Sequence, residues 1–198
     1  MRNYIRLTLP ILFFVALGSN SFAASSTWTI DPAHSGFFFG INHIYSEVKG
    51  FFEKYDGTIL FDPNDLNASR FEFTVYVDSV NTNNSKRDSH LRSGDFFDTR
   101  SFPKMTFKST SISHIQNKKY SAKGTLTIKD VAQEVEVPFT FFGFKQHPIN
   151  PKQDIAGFKA RMTIDRLKYN VGNGKFHQMG VVDNMVDILI TIEAMRDR

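Results

Sequence analysis

The run Phe37-Phe38-Phe39-Gly40-Ile41 and the later run Phe71-Glu72-Phe73-Thr74-Val75-Tyr76-Val77 both place apolar residues at every second position. A period of two puts Phe37, Phe39 and Ile41 on one face of a strand, and Phe71, Phe73 and Val75 on one face of another. Phenylalanine occurs 21 times in 198 residues. Strands of this kind closing on each other make a β-barrel with a large apolar interior, more wall than a tight core of this length needs. The chain therefore reads first as a container for an apolar molecule.

Working outward, strand-like runs appear at about 35–44, 48–61, 70–80, 104–114, 120–128, 135–144, 156–164 and 182–194. Turn chemistry separates them: Asp62-Pro63-Asn64-Asp65, Asn117 with the two lysines that follow it, Lys129-Asp130, the Pro148–Pro151 loop and Gly172-Asn173-Gly174. No long amphipathic helix competes. The expectation is an all-β fold, an eight-stranded antiparallel β-barrel, since closure removes the edges on which strands aggregate. The inward set includes Leu126, Ile128, Val135, Val137, Phe139, Phe141, Phe158, Met162, Ile164, Ile188, Ile190 and Ile192. Alternation establishes burial, and leaves a filled core and an open tunnel as alternatives.

The first residues carry a separate message. Arg2 and Arg6 precede an apolar stretch from Leu7 to Leu17, and Ser21-Phe22-Ala23 has the small-x-small form of a cleavage site. Residues 1–23 are read as a signal peptide cut after Ala23, and residues 24–198 as one domain. The expected location is the periplasm. There is no cysteine, so a core rather than disulfides must hold the fold, and a thioether lipid anchor is excluded. Loss of Arg2 and Arg6 lowers lysine plus arginine from 24 to 22 against 20 acids, leaving +2. That surplus gives no footing for nucleic-acid binding.

Polar chemistry is densest in the irregular segment from Thr82 to Pro103. Ser85 with Asp88 matches a capping box and Gly94 suits a helix end, so a short helix is expected at 86–93, between the third and fourth strands. Asp88 and Arg92, spaced i,i+4, are expected to pair on its solvent side. Arg87, His90 and Leu91 share the face expected to meet the barrel. There Arg87 and His90 either satisfy barrel-end carbonyls and Asp95, or meet the polar head of a ligand.

Several motifs together resemble one family. They are Trp28-Thr29-Ile30-Asp31-Pro32-Ala33-His34-Ser35 with Phe37-x-Phe39-x-Ile41-x-His43, then Val48-x-Gly50-x-Phe52-x-x-Tyr55-x-Gly57, and Arg87-Asp88-x-His90-Leu91-Arg92-Ser93-x-Asp95-Phe96-Phe97. Phe102-Pro103-x-Met105-x-Phe107, Gly124-x-Leu126-Thr127-Ile128, Ala156-Gly157-Phe158 and Ile164-Asp165-Arg166 continue the likeness. It is to the YceI-like lipid-binding proteins, and it covers nearly all of residues 24–198. The Arg-Asp-x-His-Leu-Arg block is its most specific part. The resemblance implies a lipocalin-like barrel whose tunnel holds a polyisoprenoid, quinone-type or fatty chain, with no catalysis and no cofactor beyond that lipid.

The tunnel set is then Phe37, Phe39, Ile41, Phe52, Phe71, Phe73, Val75, Phe107, Leu126, Phe139, Phe141, Phe158, Met162, Ile188 and Ile190. The head-group candidates are His43, Arg87, His90 and Asp95. Expected partners are a long-chain lipid, a membrane touched transiently without stable insertion, and a second copy paired mouth to mouth. Two departures from the family stand out. Tyr169-Asn170 occupies a place where many relatives resemble Phe-Gly, and the 146–153 loop has no clear counterpart.

The rival readings are a structural barrel with a filled core and a hydrolase or metal enzyme. No His-x-His, His-Glu-x-x-His, Gly-x-Ser-x-Gly or glycine-rich phosphate loop occurs. His34 and His43, if joined by one unbroken strand, stand roughly 30 Å apart and cannot share a metal. No catalytic or metal-ligating residue is assigned.

Overall fold

Side chains that alternate inward and outward along most of the chain wind it into one continuous antiparallel sheet, in a computed structural model that describes residues 27–198. The strands are β1 (Thr27–Ile30), β2 (Gly36–His43), β3 (Ser46–Phe52), β4 (Tyr55–Leu60), β5 (Arg70–Tyr76), β6 (Val80–Asn81), β7 (Lys104–Gln116), β8 (Lys119–Ile128), β9 (Val131–Gln146), β10 (Gln153–Asp165) and β11 (Val182–Asp197). Two helices, α1 (Ser85–Arg92) and α2 (Lys175–Gln178), lie after β6 and before β11. The signal-peptide expectation lies outside the described residues.

The strands β4-β5-β7-β8-β9-β10-β11 are neighbours in that order, and β1 pairs with both β4 and β11, closing an eight-stranded antiparallel barrel. Along β11 the partner changes. Ala194 and Met195 face β1, whereas Val186 to Thr191 face β2, which carries β3 and β6 beside it. The barrel is thereby extended at the end where α1 sits.

The single strand expected at 48–61 is two strands. It breaks at Glu53-Lys54, where Glu53 N and Lys54 N donate to Ser79 O at 3.1 Å and Ser79 Oγ at 2.9 Å. The first part pairs with β2 and the second with β5. Strand β1 was missing from the expectation because four residues are too short for periodicity to register. Its anchor is Trp28, 2 % exposed, whose indole N–H donates to Phe61 O at 3.1 Å.

Phe61 is the hub of the closed end. Its ring lies 4.9–5.8 Å from those of Phe71, Tyr120, Phe139, Phe141 and Phe158, four of the five contacts being edge-on, the geometry that aromatic quadrupoles favour. The β7–β8 pair needs Gly124, since a Cβ there would stand 2.2 Å from Lys108 O.

Helix α1 departs from its expected capping. Asn84 is the N-cap, accepting from Arg87 N at 3.0 Å, and the helix ends one residue early, with Ser93 Oγ donating to His90 O at 2.7 Å. Gly94 plays no part as a left-handed stop. Asp88 does not pair with Arg92 in solvent. It is buried and accepts from Thr82 N at 2.9 Å and Thr82 Oγ1 at 2.5 Å. Arg92 instead donates to Asp78 O at 2.7 Å and Val80 O at 2.6 Å. A carboxylate that satisfies a buried N–H outweighs an exposed i,i+4 pair worth a few tenths of a kcal/mol.

Two outcomes follow for stability. Phe61→Ala should cost about 3–5 kcal/mol and lower the Tm by on the order of 10 °C, read by thermal unfolding in circular dichroism. Asp88→Ala should cost about 1–3 kcal/mol by orphaning Thr82 N–H, while Asp88→Asn, which keeps an accepting oxygen, costs less. An Ala variant as stable as the parent removes the cap from the account.

Candidate functional site

Above the Phe61 cluster the inward-facing side chains stop meeting. A cavity of ≈400 Å³ runs from there to the end carrying α1 and α2, within the range of about 300–1,000 Å³ found for small-molecule sites. Ile59, Phe71, Phe139, Phe158 and Ile192 form its inner end, and Arg87, His90, Leu91, Phe96 and Phe176 its mouth. Between them the wall is almost wholly apolar. Met162, Ile164, Val186, Ile188 and Ile190 point inward yet are only partly buried, as expected of side chains that border a space.

The wall contains Phe37, Phe39, Ile41, Phe52, Phe71, Phe73, Val75, Phe107, Leu126, Phe139, Phe158, Met162, Ile188 and Ile190 from the tunnel set. Phe141 is placed elsewhere. Its ring sits 4.9 Å from Phe61 and 5.1 Å from Phe158, inside the closed end. Periodicity assigns it correctly to the inner face, but carries no information on the height at which the interior is already full. Phe97, Met105, Val171, Phe176 and Val181 also line the cavity. They fell outside the tunnel set because they lie in loops, on the one-turn helix α2 or at strand starts, where no period marks a face.

Of the polar candidates, His43, Arg87 and His90 border the mouth. Arg87 is held by Thr82, with Nε donating to Oγ1 at 2.7 Å and Nη2 to the carbonyl at 2.8 Å. His90 Nε2 meets Asp95 Oδ2 at 3.1 Å and its ring stands edge-on to Phe96 at 5.0 Å. Asp95 itself is not on the tunnel wall. It borders an adjoining recess of ≈170 Å³. The structural role of Arg87 and His90 is thus visible, and it coexists with their place at the mouth.

Arg166, which the sequence reading left among the family marks, belongs to the walls of both cavity and recess. It follows β10 in a 3₁₀ turn, Arg166–Tyr169, that ends on Asn170 at φ 56°. Asparagine tolerates that left-handed conformation better than most residues, so it can stand where relatives resemble glycine. The 146–153 loop joins β9 to β10 at the closed end, away from the mouth. Burial lowers the Arg166 pKa, with Asp165 and Asp183 opposing the shift, but a guanidinium remains charged at neutral pH.

Among the described residues one three-residue group has metal-ligand composition: Asp31, His34 and Glu193, with ligand atoms within 4.8 Å of one another. His34 precedes β2 rather than lying on it, and Asp31 Oδ2 is hydrogen-bonded to His34 Nδ1 at 2.6 Å. That bond lowers the Asp31 pKa and raises that of His34. Glu193 lies between the buried Ile192 and Ala194 of β11, so the group sits on the outer face, off the tunnel.

Residues 28–194 match the YceI-like domain. A UPF0312 protein of Staphylococcus aureus (strain bovine RF122 / ET3-1) is 36% identical over 158 residues, 79% of this chain and 89% of the relative. Among solved structures, BcnA of Burkholderia cenocepacia superposes with a TM-score of 0.74 at 26% identity, covering 83% of this chain and 98% of that one. The YceI protein of Campylobacter jejuni gives 0.68 at 28% identity, covering 77% and 87%. A polyisoprenoid binding domain from Saccharophagus degradans shares the fold, with a TM-score of 0.63 at 12% identity over 85% and 97%. Family match and relatives agree with the barrel and its motifs: the chain belongs to the YceI-like family.

Proposed function

We propose that this protein holds one long-chain apolar lipid, a polyisoprenoid, quinone-type or fatty chain, in the barrel tunnel, and that it carries or stores that lipid in the periplasm without transforming it. The observation that carries the reading is the row of aliphatic side chains, Met162, Ile164, Val186, Ile188 and Ile190, that face inward around unfilled space. A purely structural barrel would bring such groups into contact, because apolar surface left unpacked forfeits dispersion and burial energy. The polyisoprenoid binding described for the Saccharophagus degradans domain supports the choice of ligand class.

Magnitudes favour a long chain. Each five-carbon unit moved from water to the tunnel contributes about 3–4 kcal/mol at roughly 0.8 kcal/mol per methylene-sized group. Association and ordering remove much of the sum, so one or two units are held poorly and a long tail well.

Loading is assigned to the mouth. Ile44, Tyr45 and Met179 are 57%, 100% and 62% exposed, and Ile44 N donates to Val181 O at 3.0 Å, which ties the β2–β3 tip to the segment after α2. These side chains form an apolar rim suited to touching a bilayer transiently. Among the described residues no helix is long and apolar enough to cross a membrane.

Mass spectrometry of organic extracts from protein purified out of its own host should reveal a long-chain lipid, and intact-mass analysis of the periplasmic fraction a chain beginning at Ala24. Ile188→Trp, which fills the tunnel, should abolish uptake of a fluorescent long-chain lipid while circular dichroism stays that of the parent. Undiminished uptake places the lipid elsewhere. Ile44→Asp with Tyr45→Asp should slow transfer to vesicles and leave equilibrium affinity unchanged. Sedimentation in the same buffers distinguishes this from pairing of two copies through the rim.

A further inference from the structure

Arg166 is 5 % exposed, and its guanidinium has a spare edge. Nε donates to Asp183 O at 2.9 Å and Nη1 to Val171 O at 2.6 Å, while the buried Nη2 has no hydrogen-bond partner. Buried donors in native proteins are nearly always paired, and removing a cation from water costs several kcal/mol unless partners compensate. The face of Phe96, 5.8 Å from the guanidinium carbon, supplies part of that compensation. Two backbone carbonyls account for two nitrogens and leave the third unexplained.

The position of this edge matters more than its existence. Arg166 and Phe176 are common to the tunnel wall and to the ≈170 Å³ recess beside it, whose other wall is the Gly172–Gly174 loop and Lys175. A chain lying in the tunnel therefore has its outer end next to a polar compartment. Charged groups there are Arg166 and Lys175 against Asp95, and Asp95 is already engaged with His90 at 3.1 Å. Asp183 accepts from the backbone N–H groups of Asn184 and Met185 and lies 3.9 Å from His177, and together with Asp165 it acts on the Arg166 charge from outside the recess lining. Among the residues that line the recess, two cations stand against one carboxylate. Gly172 is built into the arrangement, since it adopts φ 87° and a Cβ would stand 2.3 Å from Arg166 Nη1.

Resting on the container reading above, we infer that Arg166, with Lys175, receives an oxyanion head group at the end of the lipid, so that the preferred ligand is an acidic long-chain molecule bearing a carboxylate or a phosphate. The Nη2 edge is closed to solvent in this arrangement, so the head group reaches it by displacing the loop that walls the recess. A charge-assisted bond to a planar guanidinium edge is stronger than one to a neutral group, and in apolar surroundings the contrast between an acid and an alcohol widens.

The test holds the tail constant and changes the head. Hexadecanoate, hexadecyl phosphate and hexadecanol are titrated into the lipid-extracted protein at neutral pH, each below the concentration at which it aggregates or separates from water. The inference expects at least one acidic head to bind about tenfold more tightly than the alcohol. The stronger of the two names carboxylate or phosphate as the source. Lys175→Gln should reduce the preference several-fold. Arg166→Lys, which keeps the charge but not the planar fork, should bring acid and alcohol together.

Equal binding of all three by the parent overturns the inference and leaves the container reading standing. Absence of binding by any of them overturns both. If Arg166→Lys fails to fold, the parent's ratio of acid to alcohol still decides. A folded Arg166→Lys with the parent's full preference removes Arg166 from the site.

Discussion

The ring cluster around Phe61 is the constraint on which the other features depend. An eight-stranded barrel has an interior that side chains can just fill, or that can hold one small ligand, and which of these happens is decided level by level. At the closed end Phe61, Phe71, Tyr120, Phe139, Phe141 and Phe158 meet ring to ring, and Trp28 locks the β4–β5 connection over them through Phe61 O. Nearer the mouth, aliphatic side chains such as Leu126 on β8 and the neighbouring pair Met162 and Ile188 on β10 and β11 line the wall, and the cavity lies in front of them. One strand pattern thus produces a core at one end and a tunnel at the other.

The mouth is governed by a different rule. Short turns, a two-residue strand and α1 leave backbone carbonyls without sheet partners, and cations supply the donors. Arg87 takes Thr82 O, Arg92 takes Asp78 O and Val80 O, Lys129 takes Phe96 O and Asn170 O, and Arg166 takes Val171 O and Asp183 O. These basic side chains are scaffold. Among the described residues, Nη2 of Arg166 is the buried side-chain donor left over once these carbonyls are served.

This division explains what could be read in the chain. The inner faces of β2, β5, β9, β10 and β11 were legible because a half-buried strand leaves a period of two, and sheet register carried those residues to the wall together. The break at Glu53-Lys54 was passed over although the inward phase shifts there, from Val48, Gly50 and Phe52 to Tyr55, Gly57 and Ile59, because apolar residues resume at once on the far side while the backbone changes partners. Asp88 was misread as a surface residue since a helical i,i+4 spacing to Arg92 is visible in sequence and the Thr82 N–H it serves is not. Arg166 had a position in a motif but no marked role. Its significance lies in a count of donors against carbonyls supplied by residues 171 and 183, which only the folded backbone brings together.

The open end also bears on stability. Wall residues with space in front of them lack the dispersion contacts of a filled core, and an apolar space of this kind does not gain by taking in water. The unliganded fold must therefore rest on the sheet ladder and on the Phe61 end, both remote from the mouth. A lipid in the tunnel restores the missing contacts, and by mass action adds about 2.7 kcal/mol when free ligand stands at a hundred times its Kd. That gain applies to the folded state as a whole, whereas α1, α2 and the loops beside them lie outside the strand ladder. Segments of that kind open at lower free energy than core strands, which makes the mouth the route of entry for the proposed lipid, with the closed end keeping the barrel in register.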